Sequence, residues 1–193
     1  MDTLARKRQA ARQQGVTLIE VLITLLLISF GLLGLAGLQV KLLSAEVESF
    51  QRSQALLVLA DMSSRIMTNR GTANSYVTTA ANPLGAGMTC PTAVATTVQR
   101  DLKDWCGNLQ GAAETRDSGA TKVTSLVGGR GCIERVGADY MVTVVWQGLT
   151  PTNAPPASVA CGAGSFDGAA GSACVNDRCR RAVTTLVRVA SLL

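Results

Sequence analysis

One carboxylate, Glu20, stands alone in an otherwise uncharged stretch that opens Gly15-Val16-Thr17-Leu18-Ile19-Glu20-Val21. No other charge lies between Arg12 and Lys41. An acid within a membrane-length apolar segment costs roughly 2.5–3.5 kcal/mol at the bilayer centre on insertion scales, and less near the interface. A residue kept at that cost is a functional candidate by default. The other reactive side chains are six cysteines, Cys90, Cys106, Cys132, Cys161, Cys174 and Cys179, all beyond the apolar stretch. Histidine is absent, which removes Ser-His-Asp and Cys-His catalysis and every His-ligated metal site. Ser, Asp and Arg carry no recognisable nucleophile motif, so neither an enzyme nor a cofactor is expected.

The elements that must position Glu20 come from the distribution of charge and apolarity. Residues 1–15 hold Arg6, Lys7, Arg8 and Arg12 against Asp2, a net +3 of the chain's +5. The remaining residues carry 14 Lys+Arg against 12 Asp+Glu. Residues 1–15 therefore read as a positive, topogenic leader rather than a nucleic-acid arm. Val21 to Val40 has no charge and no proline, and about 20 apolar residues cross a bilayer as a helix. Basic residues precede it, which puts the N-terminus on the cytoplasmic side and everything after Lys41 outside. Gly31, Gly34 and Gly37 recur every three residues and give either a smooth packing face or a point where the helix can yield. A cleaved signal peptide is the competing reading, with Gly34-Leu35-Ala36 as its cleavage site. The length of the apolar run and the acid within it oppose that reading.

The helical pattern continues past the membrane. Val40, Leu43, Val47 and Phe50, then Leu56, Leu59, Met62 and Ile66 advance mostly in three- and four-residue steps. Neither proline nor glycine occurs from Leu38 to Arg70, and Gly71 supplies a stop. The expectation is one helix from Val16 to Asn69, about 80 Å long at 1.5 Å per residue. Residues 71–91 read as irregular loop. Val94, Val98, Leu102, Trp105 and Leu109 then mark one face of a second helix. Strand signals follow at Lys122–Val127, Tyr140–Gln147 and Ala182–Ala190, with Gly128-Gly129-Arg130-Gly131 as a turn. Residues 148–179 read as a long loop of the kind that is functional or stapled. The fold class is α+β: a long N-terminal helix, membrane-spanning in its first half, packed on a small antiparallel sheet.

Six cysteines allow 15 pairings. Cys90 and Cys106 flank the start and the body of the second helix. Cys132 precedes the central strand and Cys161 follows it, so a bridge there would staple the strand's loop. Cys174 and Cys179 could close a small loop before the last strand. Each bridge would add about 2–4 kcal/mol in an oxidising compartment. The sequence leaves the pairing open. Zinc is disfavoured, because Cys161, Cys174 and Cys179 lack the CxxC pairs of structural zinc sites.

Gly15-Val16-Thr17-Leu18-Ile19-Glu20-Val21, behind a basic leader, resembles the N-terminal signature of type IV pilins. Further along, Arg52-Ser53-Gln54-Ala55, Leu59-Ala60-Asp61-Met62 with Arg65 and Asn69, Asp101-Leu102 with Trp105, Gly131-Cys132-Ile133, Trp146-Gln147-Gly148 and Arg180-Arg181 resemble the PilV family of minor pilins. The resemblance is weakest at 71–93 and 149–178. Val16 stands where that family usually has an aromatic residue, and Gly37 about where major pilins carry proline. The resemblance implies cleavage between Gly15 and Val16 by a prepilin peptidase, N-methylation of Val16, and pairing of Glu20 with the terminal amine of a neighbouring subunit. It implies a leader at 1–15, a helix at 16–70 with 16–40 in the inner membrane, and a disulfide-bonded periplasmic head at 71–193. The implied partners are other minor pilins, the major pilin and, at the tip, an adhesin. The implied roles are pilus assembly, twitching motility and adhesion. A type II secretion pseudopilin shares the leader and helix and remains the alternative. A DNA-uptake role would rest on Arg178, Arg180, Arg181 and Arg188, which read more simply as a solvated strand edge, so no nucleic acid is expected.

Terminal sequencing of membrane-extracted protein should begin at Val16, and Gly15→Glu should leave the leader attached. A start at Gly37 would identify an ordinary signal peptide instead.

Overall fold

The computed structural model describes residues 15–111, 115–116, 121–122 and 125–189. The leader bases Arg6, Lys7, Arg8 and Arg12, part of the Lys122–Val127 segment, and Ala190 lie outside the described residues. The described residues divide between Leu43 and Ser44 into two compact units, and helix α1 (Leu18–Thr68) contributes to both.

In the first unit α1 is an apolar helix whose side chains are exposed throughout, from Leu18 to Leu43. It is long and apolar enough to cross a membrane. Thr24 and Ser29 return their hydroxyls to the carbonyls of Val21 and Leu25, at 2.8 and 2.7 Å, and so add no unsatisfied polar group. A Cβ at Gly31, Gly34 or Gly37 would touch no atom, so no packing within the described residues calls for these glycines.

The second unit is an α+β head. Its sheet has the order β1 (Leu84–Gly85), β4 (Arg130–Val136), β5 (Asp139–Gln147), β6 (Arg180–Val187), antiparallel throughout. A separate two-stranded pair joins β2 (Thr115–Arg116) to β3 (Thr121–Lys122). Helix α2 (Thr97–Leu109) is capped by Thr96, whose hydroxyl accepts from the Gln99 amide at 3.2 Å while the Gln99 side chain accepts from the Thr96 amide at 3.1 Å. Both helices bury their apolar stripes on one face of the sheet. Ala55, Leu59, Met62 and Ile66 from α1 meet Val98, Trp105 and Leu109 from α2 over Ile133, Val142, Val144 and Trp146. Each Val, Leu, Ile or Met among them contributes about 1.5–3 kcal/mol on burial. The opposite face is smaller: Cys132, Val145, Cys161 and Phe166. Strand β5 is thus covered on both sides, which explains its near-continuous Val run.

Several boundaries differ from the sequence reading. Residues 71–91 are not wholly irregular: a 3-10 helix spans Arg70–Tyr76, and β1 adds two residues to the sheet edge. Val94 lies ahead of α2 and is 47% exposed, because the Thr96 cap sets the helix start. Ser125 and Leu126 form a bend and Val127 a turn, outside any strand, and the Val127 carbonyl meets the sheet, where it accepts from the Gln147 amide at 2.8 Å. Arg130 and Gly131, read as turn, open strand β4, which also holds Cys132 ahead of the central strand β5. The cause is a packing demand on Gly131, since a Cβ there would come within 2.3 Å of the Trp105 ring. The last strand begins at Arg180 and ends at Val187.

Three disulfides join Cys90 to Cys106, Cys132 to Cys161 and Cys174 to Cys179. The first ties the approach to α2 to its last turn. The second fastens β4 to the loop after β5, and the third closes a small ring before β6. Peptide mapping of alkylated, non-reduced protein should return these three pairs and few or no free thiols. Six free thiols in protein from native membranes would contradict both the pairing and an oxidising compartment.

Candidate functional site

At the helix start, Gly15, Val16 and Thr17 precede α1, and the Thr17 carbonyl accepts from the amides of Glu20 and Val21 at 3.1 and 3.3 Å. This places Glu20 in the first turn, where the helix dipole favours a carboxylate. Gly15, Val16 and Glu20 are all exposed. No protein side chain among the described residues pairs with Glu20 by a salt bridge or hydrogen bond. Its surroundings are apolar side chains that nothing among the described residues covers. The arrangement can offer one carboxylate, at a helix start, to a cation brought by another molecule.

Two polar clasps hold the head together, and neither was assigned by sequence reasoning. In the first, Arg65 donates to both Asp61 oxygens at 3.0 Å and to Asp101 Oδ1 at 2.7 Å. Tyr76 donates to Asp101 Oδ2, and Asn69 donates to the Tyr76 hydroxyl at 3.1 Å. Burial and the donation to Asp101 push the Tyr76 hydroxyl up to about 12. Burial opposes the Arg65 charge, but its bonds to Asp61 and Asp101 outweigh that and hold it above its ordinary value. The residues of the Asp61, Arg65 and Asp101 motifs thus join the end of α1 to the body of α2. Trp105 completes the joint by donating its indole N–H to the Val58 carbonyl at 3.0 Å.

In the second clasp, Glu48 Oε1 accepts from the amides of Leu149 and Thr150, at 3.1 and 3.3 Å, from the Thr150 hydroxyl at 3.2 Å, and from Arg181 Nη2 at 3.1 Å. Arg181 also donates to the Thr150 carbonyl at 2.7 Å and to the Thr152 hydroxyl at 2.7 Å. Partial burial would raise the Glu48 carboxyl, yet the Thr150 and Leu149 bonds and the Arg181 charge hold it below the ordinary glutamate range. Arg180, only 3% exposed, donates to the carbonyls of Val159 and Cys161 at 2.7 and 2.9 Å. The middle of this basic run is therefore internal, while Arg178 and Arg188 are exposed. Arg180 and Arg181 bind the head's own loop, and Arg178 and Arg188 do not by themselves make a phosphate track. The described residues hold no cluster of acidic or sulfur side chains suited to a metal ion.

Residues 10–36 match the family model of the prokaryotic N-terminal methylation motif. Comparisons with curated proteins and with solved structures found no significant match. The chain thus carries a type IV pilin-like amino terminus, of the kind that serves pili and pseudopili. Behind it stands an α+β head with a long helix packed on a small antiparallel sheet, a pilin-like architecture.

Glu48→Gln should destabilise the head by about 1.5–3 kcal/mol at neutral pH, the range for a hydrogen bond to a charged group. The folded carboxyl titrates below its unfolded value. The stabilisation is therefore complete above the unfolded pKa and is lost as pH falls through the folded one. The gap between wild type and Glu48→Gln in thermal midpoint should close in acid. A gap that stays constant down to pH 3 would remove Glu48 from this role.

Proposed function

We propose that this chain is a minor pilin: a structural, non-catalytic subunit that joins a type IV pilus through its N-terminal helix and helps to initiate or modify the fibre. The observation that carries the reading is the methylation motif at residues 10–36, with Glu20 in the first turn of an apolar helix that the described residues leave uncovered. The head-region resemblance to PilV-like sequences supports the minor-pilin assignment, since Arg65, Asp101 and Trp105 of those motifs form the head's main joint.

On this reading a prepilin peptidase cuts between Gly15 and Val16 at the membrane surface. A glycine before the cut presents no side chain to hinder the peptide from entering an active site. The same enzyme methylates the new Val16 amine. The mature chain crosses the inner membrane once, with its N-terminus cytoplasmic and its head periplasmic, until it is drawn into the pilus. There Glu20 accepts the N-terminal ammonium of a neighbouring minor or major pilin. Low dielectric makes such a pair strongly orienting, whatever its net stabilisation after desolvation, and it fixes the axial stagger of packed helices. Twitching motility and adhesion follow from the fibre, and a tip adhesin is a further partner.

Glu20→Leu makes the membrane segment more apolar, so insertion, cleavage and head folding should survive. Recovery of the variant in sheared pili, measured beside its membrane level, should fall strongly. Wild-type incorporation would show that Glu20 does not set the register. Loss of protein secretion with intact pili would point to a pseudopilin.

A further inference from the structure

Arg52 is the residue of the Arg52-Ser53-Gln54-Ala55 motif that the head does not use. Ala55 is buried in the core, and Ser53 returns its hydroxyl to the Ser49 carbonyl at 3.0 Å. Arg52 is exposed, and among the described residues no hydrogen bond or salt bridge involves its guanidinium. Its natural partner would be Glu48, one turn earlier, in the order that favours an i,i+4 pair. Glu48 has been diverted: its Oε1 serves Leu149, Thr150 and Arg181. Arg52 instead borders a cleft of about 310 Å³ lined by Glu48, Ser49, Trp146, Arg181 and Ala182. Arg181 has its own partners, and the cleft lining holds two guanidinium groups and one carboxylate, a net positive charge of one. Trp146, only 3% exposed, supplies an apolar wall.

From this placement we infer that the cleft is a contact site for a neighbouring subunit, in which Arg52 receives an aspartate or glutamate side chain. The inference rests on the pilus-subunit reading. A guanidinium fork matches one carboxylate with two parallel hydrogen bonds, and the indole wall strengthens them by excluding water. The cleft has room for one or two side chains. A nucleic acid needs successive cations along its backbone, whereas here Arg180 and Arg181 are committed internally and one cation is available. The excess positive charge therefore selects an acidic protein surface.

The test uses the full chain in its native cells, with Arg52→Ala, Arg52→Glu and Arg52→Lys beside Glu20→Leu. Pilus incorporation relative to membrane level should fall about ten-fold or more for Arg52→Glu, as expected for loss of a charged hydrogen-bonded contact. Arg52→Lys should retain part of it. A photo-crosslinking residue at Ser49 should capture a peptide that carries Asp or Glu, and reversing that acid to Arg should restore Arg52→Glu. Normal incorporation of Arg52→Ala and Arg52→Glu, with Glu20→Leu failing, overturns the cleft contact and leaves the pilus reading intact. Normal incorporation of all four variants overturns both the cleft contact and the register role of Glu20, whereas absence of the wild-type chain from sheared pili overturns the pilus reading itself. A drop in the thermal midpoint of the detergent-extracted Arg52→Ala protein as large as that of Glu48→Gln assigns Arg52 to the head's own fabric and also overturns the contact. So does salt-sensitive binding of duplex DNA that Arg52→Ala abolishes.

Discussion

The buried indole of Trp105 is the contact around which the head is arranged. Its N–H reaches the Val58 carbonyl of α1, and its ring fills the volume that a Cβ at position 131 would need. One side chain thus sets the distance between the two helices and the distance from α2 to β4. Its neighbour Cys106 is bonded to Cys90, which holds the chain leading into α2 against the same joint. A glycine in a central strand is normally a weakness, because it adds backbone entropy and packs nothing. Here it is the condition for closing the core.

The two clasps divide the labour of fixing α1 against the head. The Arg65–Asp101 clasp acts at the end of α1, and the Glu48–Arg181 clasp acts near its entry into the head. Between them lie Ala55, Leu59 and Met62, whose apolar packing has no directional preference of its own. Hydrophobic burial makes the helix adhere. The charged hydrogen bonds select the rotation and register at which it does so.

What the sequence disclosed follows from how local each signal is. Helix α1 was legible because its periodicity runs for dozens of residues without glycine or proline in its second half, and β5 because Val and aromatic residues alternate on one face. Strand β4 was hidden by Gly128-Gly129-Arg130-Gly131, which has turn composition although Gly131 is a strand residue under an aromatic ring. The 3-10 turn at Arg70–Tyr76 and the two-residue β1 are too short to show a period. Glu20 could be read as a site from its isolation in apolar sequence. The Glu48–Arg181 pair could not, since its members stand 133 positions apart and each looks like an ordinary surface charge. Cysteine counting left the pairing open because only spatial proximity decides it.

The segment from Gly148 to Cys179 has no regular secondary structure, and within it only Gly148, Cys161, Gly162, Phe166 and Cys179 are buried. Two of those five are half-cystines, so the segment is anchored covalently rather than by an extensive apolar footprint. Most of its other side chains can be exchanged without disturbing the helices or the sheet. Substitution on this face costs the rest of the head least. An antibody or phage receptor-binding protein that read it would be tracking the most changeable part of the molecule, while the joint beneath it stays the same.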